Sequence, residues 1–105
     1  MELGSPEHKQ EFLATLTKTY QENIWKEELG IMEFEELLGN FRKERAELDL
    51  KLERKEFSSA GEGRKQLAQK DSMIESTQAA IQKQQANKVF WTMRIDLIKR
   101  YSELN

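Results

Sequence analysis

The sequence predicts an all-α chain folded as a long antiparallel helical hairpin of the coiled-coil type. Three observations carry this. Apolar residues recur at spacings of three and four over most of the chain, the repeat of one helix face. Helix breakers are few, with Pro only at position 6 and five Gly in 105 residues. One dense turn-prone cluster, Ser58-Ser59-Ala60-Gly61-Glu62-Gly63, divides the chain into two long breaker-poor segments. β-Branched residues are sparse, and no alternating run suggests a strand.

Residues 1–5 contain a Gly-Ser pair and read as a disordered or cloning-derived N-terminus. Ser5-Pro6-Glu7 is a helix start: Ser caps free amides, Pro fits the first helical position, and Glu suits the positive end of the dipole. The first helix is expected over 6–57. Its apolar positions are Leu13, Leu16, Tyr20, Ile24, Ile31, Phe34, Leu38, Phe41, Leu48 and Leu52, with Glu27 and Arg45 at seam positions. From Ile31 onward the repeat is a strict heptad, the signature of a left-handed supercoiled seam. Gly30 and Gly39 each cost ~1 kcal/mol against Ala in a helix interior. The apolar phase passes through both, so a continuous or kinked helix is preferred. A break at Gly30 would instead give three helices.

The loop is expected at 58–63 and the second helix at 64–105. Leu67, Ile74 and Ile81 lie seven apart, with Lys70, Thr77 and Gln84 between them on the seam. Apolar density then rises sharply through Val89, Phe90, Trp91, Met93, Ile95, Leu97, Ile98, Tyr101 and Leu104. If Phe57 faces Arg64, facing residue numbers sum to about 121 in an antiparallel hairpin. Leu67 then lies near Leu52, Ile74 near Leu48, Phe90 near Ile31 and Tyr101 near Tyr20. At ~1.5 Å per residue the helices measure about 78 and 61 Å, leaving roughly ten N-terminal residues overhanging.

The apolar arc is too wide for one partner. Phe90, Met93 and Leu97 are expected to face the first helix. Trp91, Ile95 and Ile98, rotated from them, should then face outward, as should Trp25, Leu29 and Met32. Phe12, Leu13 and Leu16 lie in the overhang and need cover. These nine residues are the candidate protein interface, completing a four-helix bundle by dimerisation or with a partner helix. A helix folded back from Gly30 is the internal alternative. The helical pattern continues to Asn105, as expected of a domain excised from a longer coiled-coil protein.

Composition narrows the function. With no Cys there is no disulfide framework, thiol chemistry or zinc finger, and the one His, His8, lies near the N-terminal end. A net charge of −2 argues against nucleic acid as the main partner. No run approaches the ~20 apolar residues of a membrane span, and no signal-peptide core is visible. Gly61-Glu62-Gly63 lacks the spacing and the Lys-Ser/Thr of a phosphate loop. Glu27-Glu28, Glu33 and Glu35-Glu36 read as a solvated face, and no Glu-x-x-His pairs are present for a metal bundle. No cofactor or metal is expected.

One enzymatic form is conceivable, a bundle with inward Arg, Lys and Glu as in the all-helical chorismate mutases, although their residue pattern is not found here. Arg45, flanked on the seam by Phe41 and Leu48, would be its centre, but a seam Arg more commonly snorkels or pairs with a facing carboxylate. Size and hairpin shape are similar to the small secreted bacterial proteins with a Trp-x-Gly turn. However, Ser58–Gly63 has no Trp, and Asn105 stands where their export signal places an acid. The leading expectation is a non-enzymatic interaction or scaffold module, assembling with itself or a partner chain inside the cell. A secreted or virulence-related hairpin is second and a bundle enzyme third.

Overall fold

The structure, a computed structural model, describes residues 6–103. The N-terminal reading for 1–5 and the last two positions of the second helix lie outside the described residues. The fold is all-α, a hairpin of two long helices: α1, Pro6–Glu53, and α2, Ala60–Glu103. α1 runs through Gly30 and Gly39 without interruption.

The turn sits earlier than 58–63. α1 ends at Glu53, and α2 already begins at Ala60. The α1 end is a Schellman-type closure: the Glu56 amide donates to the Lys51 carbonyl (3.0 Å), and the Lys55 amide donates to that of Leu52 (3.2 Å). Lys55 therefore takes the left-handed conformation, φ 57°, where Gly is the usual residue. The α2 start is capped by Ser59, whose Oγ accepts from the Glu62 amide at 3.1 Å. Ser59-Ala60-Gly61-Glu62 thus carries the S-x-x-E signature of a helix start. Gly61 and Gly63 read as loop residues but belong to the first turn of α2, where backbone amides lack intrahelical partners in any case.

Two units make up the fold. In the loop unit, Ile31–Lys83, Leu38 and Ile81 are buried apolar seam residues. Thr77 is buried between them in sequence, and its Oγ1 donates to the Met73 carbonyl at 2.8 Å, so it carries no unmet donor. Phe57 folds against the start of α2. A Cβ on Gly63 would lie 2.8 Å from both Leu52 Cδ1 and Phe57 Cδ2. Lys70 crosses to Glu44, Nζ–Oε2 2.5 Å, and lies 5.2 Å above the Phe41 ring. Arg45 Nε donates to Asp71 Oδ1 at 2.5 Å.

In the terminal unit, Met1–Gly30 with Gln84–Asn105, Ile24 and Ile95 are the buried apolar residues among the described ones. Tyr20 and Trp91 stack with ring centroids 5.4 Å apart and planes 25° apart. Lys88 pairs with Glu28 at 3.1 Å. The Gln84 carboxamide lies directly on Gly30, where a Cβ would have to displace the end of that side chain. Lys9 Nζ lies 4.2 Å above the Tyr101 ring, so the described start of α1 has a partner and the expected overhang is absent.

The pairing register differs from expectation in both units. Tyr20 meets Trp91 in place of Tyr101, and Glu44 meets Lys70 in place of Thr77. The displacement is about two helical turns. Its cause is the turn: a loop at 54–59 moves the reversal point toward the N-terminus and pulls all of α2 with it.

Candidate interaction surface

The seam of α2 continues the heptad already visible in Leu67, Ile74 and Ile81. Stepping on by sevens gives Lys88 and Ile95, and the companion row Lys70, Thr77 and Gln84 leads to Trp91 and Ile98. Ile95 is 9% exposed, while Trp91 and Ile98 are half-buried. The expected assignment is therefore reversed. Trp91, Ile95 and Ile98 pack toward α1, and Phe90, Met93 and Leu97 face outward, with Met93 61% and Leu97 58% exposed. The physical reason is that apolar residues in 89–101 cover more than half the helix circumference, so local density does not select a phase.

The other candidates divide. Leu13 and Leu16 are half-buried, so they are not a free surface. Phe12, Trp25, Leu29 and Met32 are exposed, with Trp25 59% and Leu29 57% open. Within the terminal unit, the outward apolar residues form two stripes. One is Trp25 and Leu29 on α1, the other Phe90, Met93 and Leu97 on α2, and Phe12, Val89 and Tyr101 are exposed as well. Arg94 lies 4.9 Å above the Phe90 ring, and Phe90 also meets its neighbour Trp91 edge-on at 5.0 Å. Sequence reasoning missed Phe90, Met93 and Leu97 as outward residues, although extending the heptad from Ile81 would have found them.

Arg45, the one cation placed on the seam as a candidate, is engaged by Asp71, whose hydrogen bond and charge push the guanidinium further above its ordinary range. Among the described residues no group of three or more His, Cys, Asp or Glu is placed to hold a metal ion. No described helix is long and apolar enough to cross a membrane. Compared with known proteins, the chain matches no family model, no curated protein and no solved structure.

Proposed function

We propose that the chain is a non-enzymatic protein–protein interaction module, a helical hairpin that assembles with itself or with a partner helix in a larger intracellular complex. One observation carries this reading: the terminal unit leaves more large apolar side chains outside than it buries. Among the described residues Ile24 and Ile95 are its buried apolar side chains, whereas Trp25, Leu29, Phe90, Met93 and Leu97 are all open. Contiguous apolar stripes of this kind mark interaction sites on helical proteins. A two-helix seam gives each apolar residue neighbours on one side only, and added helices supply the missing side.

Light scattering over a wide concentration range tests the reading. An assembling chain has a mass above the monomer that rises with concentration. Met93→Lys with Leu97→Lys returns it to the monomer with helix content retained, because two ammonium groups on an apolar contact are costly to desolvate. A wild-type monomer whose thermal midpoint is independent of concentration overturns self-assembly. A double variant that loses helix as a monomer shows that the stripe is internal core.

A further inference from the structure

We propose that the occupant of the Phe90–Met93–Leu97 stripe is a second copy of this chain, seated through its Trp25–Leu29 stripe in a head-to-tail contact. The inference rests on the assembly reading above and specifies its geometry.

The first argument is charge. The charged residues within one turn of Phe90, Met93 and Leu97 are Lys88, Arg94, Asp96, Lys99 and Arg100, four bases and one acid. Those within one turn of Trp25 and Leu29, in the same unit, are Glu22, Lys26, Glu27 and Glu28, three acids and one base. The α2 stripe is thus flanked by net positive charge and the α1 stripe by net negative charge, so each complements the other better than it complements its own copy. A stripe paired with its own copy would bring together two flanks of the same net sign, and like net charge at an interface disfavours that arrangement. Arg94 makes this acute, because it lies on the Phe90 ring at 4.9 Å, within the apolar stripe itself.

The second argument is phase. Trp25 follows the buried Ile24 by one residue, so it is turned about 100° from the seam in one sense. Phe90 and Leu97 each precede a seam residue, Trp91 and Ile98, and are turned about 100° in the other sense. In an antiparallel pair, equal rotations from the seam lead to the same face of the pair, so these opposite rotations place the stripes on opposite faces. One partner copy cannot cover both. The contact is heterologous, each copy keeps one stripe free, and association continues beyond a dimer.

Two variants test this in combination: Leu29→Glu spoils the α1 stripe, and Leu97→Glu spoils the α2 stripe. Both positions are exposed and Glu is a good helix former, so circular dichroism should show unchanged helix content. Sedimentation should show wild-type mass growing past the dimer with concentration. Each variant alone should be monomeric, and an equimolar mixture should give a one-to-one complex that grows no further, since the mixture retains one intact stripe of each kind. Either variant dimerising alone overturns the head-to-tail contact while leaving the assembly reading intact. A mixture that stays monomeric also overturns it. A monomeric wild type removes both the contact and self-assembly.

Discussion

Trp91 stacks on Tyr20 across the hairpin, ring centroids 5.4 Å apart, and this contact fixes which face of α2 is inward. With Trp91 on the seam, Ile95 and Ile98 follow at i+4 and i+7, while Phe90, Met93 and Leu97 are turned outward. The side chain expected to recruit another molecule holds the two helices of this one together.

Trp91→Ala should accordingly destabilise the hairpin itself. Half-burial sets the loss at about 2 kcal/mol, below the roughly 3–5 of a fully buried aromatic. A double-mutant cycle with Tyr20→Ala should show a coupling of about 1 kcal/mol from the stacked pair. Urea unfolding of the four proteins measures both quantities. Additive losses would mean that the stack contributes nothing beyond burial.

The register carries its own test. Glu28 and Lys88 are in contact at 3.1 Å, whereas the register expected from a loop at 58–63 sets Glu28 near Met93. The chain has no Cys, so Glu28→Cys with Lys88→Cys introduces the sole thiol pair. A short bifunctional maleimide should link them within one chain at high dilution. Glu28→Cys with Met93→Cys should link poorly by comparison.

Glycine substitutions should differ in sign. Gly39 has no atom near its would-be Cβ, so Gly39→Ala should stabilise the chain by about 1 kcal/mol through helix propensity alone. The same change at Gly63 drives a methyl into Leu52 and Phe57. Overpacking of this kind costs about 1–3 kcal/mol, enough to cancel or exceed the propensity gain. Thermal midpoints of the two variants should move in opposite directions.

Lys55→Gly should be stabilising. A non-glycine residue in the left-handed region costs about 1–2 kcal/mol, and Gly removes most of that while losing some through greater unfolded-state freedom. A net gain of about 1 kcal/mol is expected, with Lys55→Ala giving none. Equal effects of the two substitutions would show that strain at position 55 is not the cause.

The helix class, the hairpin and most of the α1 seam were legible in the sequence because the spacing of Ile24, Ile31, Leu38 and Phe41 admits one phase. Two features were not read. Gly61 and Gly63 resemble a loop, and the competing signal, Ser59 capping the amide of Glu62, is only one hydrogen bond wide. In α2 the seam passes through polar residues, Gln84 against Gly30 and Lys88 against Glu28. That polar stretch hides the phase just before apolar residues crowd every side of the helix. The heptad from Leu67 through Ile81 held the answer, but local density outweighed it. Arg45 is the reverse case, since a facing carboxylate was the expected fate of a seam arginine and Asp71 supplies it.

Leu97 is open while its neighbour Ile98 is half-buried, and assembly depends on that outward position. The direct measurement is the thermal midpoint of Leu97→Glu and of wild type as a function of protein concentration. Association that involves only the folded state raises the midpoint with concentration. Wild type should show that rise, and Leu97→Glu should stay flat at the wild-type dilute limit. A Leu97→Glu midpoint that rises as steeply as wild type, or that falls well below the dilute limit, would contradict an outward stripe used for assembly.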